Sequence, residues 1–139
     1  MTTKTIRIIA FIVLLVHGIG HLQGVVAALG VKINNSVPAS SWLLKDLNEK
    51  AVREICFLLF LVTGIIAILA ALSFYGILLS GNNWETLTLV AAFLSTICLL
   101  LFWNCFAMLF NKIGAIAVNL IIYYSILLNQ EWPSGLFDN

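Results

Sequence analysis

Charge is what this chain has least of: 9% of its 139 residues are Asp, Glu, Lys or Arg, against roughly 25% in an ordinary soluble domain. A water-soluble fold of this size would have no polar coat to wear. Proline is scarce as well, with only Pro38 and Pro133, so the long apolar stretches run without a breaker. No Asp or Glu falls in the interior of those stretches, which argues against an antiporter that trades cations for protons on a membrane-embedded acid. Histidine occurs twice, at His17 and His21, four residues apart. Two imidazoles on one helical face cannot be trans ligands of one haem iron, so a bis-histidine haem within a single chain is excluded. The cysteines number three, Cys56, Cys98 and Cys105, with no C-x-x-C pair, and read as small buried hydrophobes rather than a disulfide framework or a zinc site. Also missing are a Gly-x-Ser-x-Gly elbow and a phosphate-binding loop. A net charge of +1 suggests no nucleic-acid surface.

Apolar residues fill the space, at 62% of the chain with a mean hydropathy of +1.08. Crossing the ~30 Å hydrocarbon layer as a helix takes about 20 apolar residues. Four stretches qualify, at about 5–29, 53–79, 84–110 and 112–130, and none alternates as a barrel strand would. The first follows Lys4 and Arg7 but exceeds the ~7–15 residues of a signal-peptide core, so it is expected to stay as a membrane helix. The fold expected is all-α: one polytopic four-helix membrane bundle spanning residues 1–139. Short links at 80–83 and at Asn111-Lys112 make neighbouring helices antiparallel. The first connection, 30–52, is long and polar, and Ser40 or Ser41 is expected to cap a short interfacial helix there.

Seven cationic side chains divide as Lys4 and Arg7 on one side against Lys32, Lys45, Lys50, Arg53 and Lys112 on the other. This bias favours a cytoplasmic first loop. Polar groups inside a membrane are costly and are default functional candidates. His17, His21 and Gln23 in the first span, Glu54 at the start of the second, Asn104 in the third and Asn119 in the fourth all fall in the half that faces the long loop. Turned inward, they would form one pocket. The bland alternative is that they are hydrogen-bond glue between helices. Gly20 and Gly24 share the histidine face and are expected to form a close-approach seam. His17 and His21 are half of a helical metal site, with Glu54 or a cysteine as the third ligand. Trp103, Phe106, Phe110, Tyr123 and Tyr124 are aromatic candidates for an apolar pocket wall.

The run His17-Gly18-Ile19-Gly20-His21-Leu22-Gln23-Gly24, the Lys112-Ile113-Gly114 step and Asn119 resemble a loose group of small four-helix bacterial and archaeal membrane proteins, similar in outline to DoxX-like proteins. Some DoxX-like proteins are associated with quinone-linked sulfur redox chemistry, but their functional residues are not matched here. The resemblance implies the four-helix layout and the importance of His17 and His21.

The function expected is that of a membrane accessory subunit or a lipophilic-ligand-binding protein. It would work among membrane lipids, as a homo-oligomer or within a larger membrane complex, with no cofactor specified. The alternative is a membrane-embedded enzyme acting on a quinone- or isoprenoid-type substrate through the histidine pair, or a single-histidine pigment or metal site.

Overall fold

The computed structural model describes residues 3–31, 39–78, 83–106 and 108–128. Among them the only regular structure is helical: α1 (Thr3–Ala28), α2 (Glu49–Phe74), α3 (Trp84–Leu101) and α4 (Leu109–Tyr123), with a 3-10 turn at Trp103–Cys105 and a π-helical turn at Tyr124–Leu128 closing α4. All four helices, α4 counted through Leu128, are long and apolar enough to cross a membrane. At 1.5 Å per residue the 26-residue α1 and α2 are each about 39 Å long, more than the hydrocarbon layer requires. Large apolar side chains such as Val16, Leu58, Phe93 and Leu120 point outward and are around 60% exposed. That surface suits lipid and would be an aggregation liability in water.

The ends of α1 and α2 are set by local chemistry. Each closes with a glycine in the left-handed region, Gly30 at φ 80° and Gly76 at φ 79°. The Val31 N–H reaches the Val26 carbonyl and the Gly30 N–H reaches Ala27; Ile77 and Gly76 repeat this pairing on Leu72 and Ser73. Both are Schellman closures, for which glycine carries no Cβ penalty. Arg53 adds a side-chain bond from Nε to the Ala28 carbonyl at 3.0 Å, tying the end of α1 to the start of α2.

Several boundaries differ from the sequence expectation; α4 starts at Leu109 rather than Lys112, so the link expected at Asn111-Lys112 lies inside its first turn. The short helix expected after Ser40 is absent: residues 39–48 form bends and a turn, and α2 starts at Glu49 rather than Arg53. The cap is Asn48, whose Oδ1 accepts from the Ala51 N–H at 2.9 Å, and the Trp42 indole N–H is drawn to the Leu100 carbonyl at 2.8 Å. The tether and the later cap replace the helix. The third span stops at Leu101 instead of 110, where Phe102 leaves helical geometry at φ −125°, ψ 43° and buries its ring completely. That break turns Cys105 and Phe106 inward, a consequence of tertiary packing with no Gly or Pro to announce it. The second span ends at Phe74, earlier than 79, at the Gly76 closure. Lys32 and Pro38 of the first connection, position 79 at the expected end of the second span, the expected link at 80–82 and the expected end of the fourth span at 129–130 lie outside the described residues.

α1 packs along α2, α2 along α3 and α3 along α4, whereas α1 and α4 meet only sparsely. The buried positions of α1, Leu14, His17, Gly18, His21, Gly24, Ala27 and Ala28, form one helical stripe. Two apolar clusters fill the interior. One lies toward the connector end around Phe60, Phe102 and Phe106, the other at the opposite end around Phe74, Trp84 and Ile122. The α1–α2 seam depends on glycines at Gly18, Gly24 and Gly64. A Cβ on Gly64 would stand 3.1 Å from the Gly18 carbonyl oxygen, and one on Gly18 would stand 2.9 Å from Ile68 Cγ1. In a bilayer, where apolar surface has no water to escape, such close packing is what holds helices together.

Candidate functional site

The sparse meeting of α1 and α4 leaves a groove of about 360 Å³ in the bundle wall. From α1 it is lined by Val13, Val16, His17, Gly20, His21 and Gln23, and from the other side by Phe106, Phe110, Asn111, Gly114, Ala115 and Val118. Below it, and sharing Val13 and Val118, runs a second hollow of about 250 Å³ lined by Ile6, Leu14, Trp84, Ile122 and their neighbours. Together they make one slot along the membrane direction, with histidines at the connector end and apolar side chains beyond.

His17 and His21 are the chemistry of this slot. Their side chains are one turn apart, with ring centroids 4.9 Å from each other and planes at 87°. His21 is 2% exposed and His17 9%, so both face the bundle rather than lipid. The His21 ring is flanked by Phe60 at 5.8 Å and Phe106 at 6.1 Å, an apolar surround that holds it in place without giving it a polar partner. His17 Nε2 and His21 Nδ1 are buried and have no hydrogen-bond partner among the described residues. An orphaned buried polar atom costs about 1–3 kcal/mol, so two of them side by side call for an explanation.

The other sequence candidates separate. Gln23 lies at the groove's mouth, mostly outward, and its Oε1 accepts from Asn111 Nδ2 at 3.0 Å. Glu54 is exposed on another side of the bundle, 3.9 Å from Lys50, in a hollow it shares with Arg53 and Phe57. Asn104 sits outward on the 3-10 turn. Asn119 is 3% exposed but faces α3, where its Nδ2 donates to Ser95 Oγ at 3.0 Å and Thr96 Oγ1 at 3.2 Å. Thr96 Oγ1 in turn lies 3.1 Å from the Tyr123 hydroxyl. The single pocket imagined from the sequence is therefore divided: His17, His21 and Gln23 share the groove, while Asn119 belongs to an α3–α4 hydrogen-bond network.

Asn119→Leu is accordingly expected to cost about 0.6–2 kcal/mol of bundle stability, the range for interhelical side-chain bonds in membranes, while leaving groove binding within twofold. Unfolding in detergent and a ligand-retention assay on the same preparation check both halves.

The glycine assignment also changes. Gly24 is a packing residue, since its Cβ would fall 2.1 Å from the Phe60 ring, but Gly20 has nothing within 4 Å of that position and opens on the groove. Four residues advance a helix by about 400°, so the two glycines are displaced by some 40° on the helix, enough to put one against α2 and the other beside α4. Gly18 and Gly64 carry the seam together with Gly24, and Gly64 could have been suspected only from a small-residue spacing on α2.

For a metal ion the donor set falls short: among the described residues no cluster of three His, Cys, Asp or Glu side chains exists, and Glu54 is engaged elsewhere. Catalytic zinc sites hold three protein ligands, and the two imidazoles alone do not make one. Phe106 and Phe110 line the groove as aromatic walls; Trp103 instead carries the Lys112 ammonium 4.8 Å above its ring. In the sequence Asn111 reads only as a link residue, and Thr63, Ser95 and Thr96 do not stand out, because Ser and Thr in a membrane helix usually bond back to their own backbone, as Thr63 does to Leu59.

Compared with models of known families, with curated proteins and with solved structures, the chain matches none.

Proposed function

We propose that this is an integral membrane protein that binds a lipophilic small molecule in the α1–α4 slot. A polar head on the ligand would meet His17 and His21, and an apolar tail would lie in the hollow beyond Val13 and Val118. The observation that carries the reading is the pair of buried imidazole nitrogens, unpartnered among the described residues, at the connector end of a mostly apolar slot. Binding sites for small molecules are mostly apolar with a few convergent polar groups, and this slot has that composition. A neutral imidazole offers one N–H donor and one acceptor, so the pair suits a head with a carbonyl or hydroxyl oxygen. The quinone or isoprenoid class fits these demands as well as an enzyme substrate would. The site has no nucleophile beside a base, which favours binding over turnover.

The same reading places the α1–α2 connection in the cytoplasm, on the five-to-two distribution of Lys and Arg, and takes a prokaryotic plasma membrane from the resemblance to small bacterial and archaeal membrane proteins. The apolar connector residues Trp42, Leu43 and Leu47, outward at the end of the bundle, suit the lipid interface even without a helix. Assembly through Gly24 is not part of the proposal, because Phe60 already occupies that face within the chain.

Native mass spectrometry of protein extracted gently from its own membrane tests the proposal. A monomer or homo-oligomer carrying one discrete small-molecule mass per chain is expected, and that mass is lost in a His17→Ala, His21→Ala double variant. A heteromeric mass with no small molecule would make the chain an accessory subunit instead.

A further inference from the structure

Apart from the groove, the bundle brings together two reactive side chains that sequence spacing kept 49 positions apart. Cys56 on α2 and Cys105 in the 3-10 turn after α3 place their sulfurs 3.7 Å from each other, in hydrogen-bond contact. Both are free thiols and both are buried, at 0% and 2% exposure. Cys98, the third cysteine, is held apart by Thr63, whose hydroxyl lies 3.5 Å from its sulfur.

Burial alone would make such thiols inert. Two features set this pair apart. The segment Ala39–Trp42 lies over it: Ala39 belongs to the same apolar cluster, and Trp42 is tethered to Leu100. Ser40 itself is exposed, so the pair is close beneath the surface at the connector end of the bundle. The second feature is electronic. The hydrogen bond from Cys56 holds the Cys105 thiol below its ordinary pKa in spite of burial. A lower pKa raises the thiolate fraction, and the thiolate is the nucleophile.

We propose that Cys56 and Cys105 form a redox-active dithiol that hydrogen peroxide converts into an intrachain disulfide. Cys105 attacks one peroxide oxygen and the O–O bond breaks. Cys105 becomes a sulfenic acid, and the departing hydroxide takes the thiol's proton to leave as water. The Cys56 sulfur then attacks the Cys105 sulfur, forming the S–S bond and expelling hydroxide, which leaves as a second water with the Cys56 proton. Two thiols lose two electrons in all, and one peroxide is reduced to two waters. The sulfurs must close from 3.7 Å to the ~2.05 Å of a disulfide. The three-residue 3-10 turn is the side that yields, having few backbone hydrogen bonds to lose.

The test counts thiols. The full chain in lipid nanodiscs is reduced, freed of reductant, treated with hydrogen peroxide, unfolded in detergent and tagged with a maleimide polymer. Reduced protein is expected to take three tags, one per cysteine, and peroxide-treated protein one, with dithiothreitol restoring all three. Peptide mapping of the oxidised wild-type chain, which requires no variant to fold, is expected to find Cys56 joined to Cys105. In Cys56→Ser the sulfenic acid on Cys105 has no resolving thiol and is captured by dimedone; in Cys105→Ser no capture occurs. Three tags after peroxide, or a bond that includes Cys98, overturns the proposal.

Discussion

Alanine at Gly24 is expected to destabilise the bundle by about 1–3 kcal/mol, the usual range for overpacking a filled core, while alanine at Gly20 leaves it unchanged or slightly more stable. The new Cβ at Gly24 falls 2.1–2.5 Å from three atoms of the Phe60 ring, including Cγ, which no rotation of the ring tip relieves. Phe60 has no free space to enter. It is completely buried and touches His21, Phe102 and Phe106. The strain therefore passes to the wall of the groove as well as to the seam. At Gly20 the added methyl meets nothing within 4 Å, and replacing a helical glycine gains up to about 1 kcal/mol of propensity. Urea or SDS unfolding of the two variants in one detergent gives the comparison. Equal losses at both positions would mean that α1 is rotated from the orientation described here.

The second large effect has opposite signs in two measurements. His21→Leu is expected to weaken ligand binding about 10- to 100-fold, and yet to leave the ligand-free bundle as stable as the parent or more so. The binding loss follows from removing a partner for the ligand's polar head while keeping an apolar side chain of similar size, a change of about 1.4–2.8 kcal/mol. The stability gain follows from the same orphaned Nδ1: without ligand it is a buried polar atom with no partner among the described residues, and leucine removes that cost. Sites kept for function at the expense of stability behave this way. If instead the imidazole were structural glue, His21→Leu would destabilise the empty protein. Chemical unfolding and ligand titration of one preparation separate the two cases.

Much of the architecture was legible in the sequence because it depends on composition. Low charge and four apolar runs are enough for four membrane helices, and the first run ends within a residue of α1, but the second ran past the Gly76 closure that stops α2. What was not legible depends on which way a side chain turns. The i, i+4 spacing put Gly20 with Gly24, but the seam is narrower than the spacing suggests, and 40° of helix separates contact from open groove. Asn104 looked equivalent to Asn119 until the chain broke at Phe102 and carried Asn104 outward. Neither Gly nor Pro marks that break, which serves to bury Phe102, Cys105 and Phe106. The meeting of Cys56 with Cys105 depends on the same turn and was equally hidden. The inward placement of His17 and His21, left open by sequence, follows from the buried stripe on α1.

The central claim is that a ligand's head is held by His17 and His21, and the chain contains no other histidine. Nitrogen NMR of the untagged protein labelled with ¹⁵N-histidine therefore gives four ring signals to follow. On titration with a short-tailed quinone or isoprenoid alcohol in nanodiscs, the account predicts saturable shifts of His17 Nε2 and His21 Nδ1. The Asn119 side-chain amide, followed in a uniformly labelled sample, should stay in place. Saturable binding that leaves all four imidazole signals where they were would contradict it.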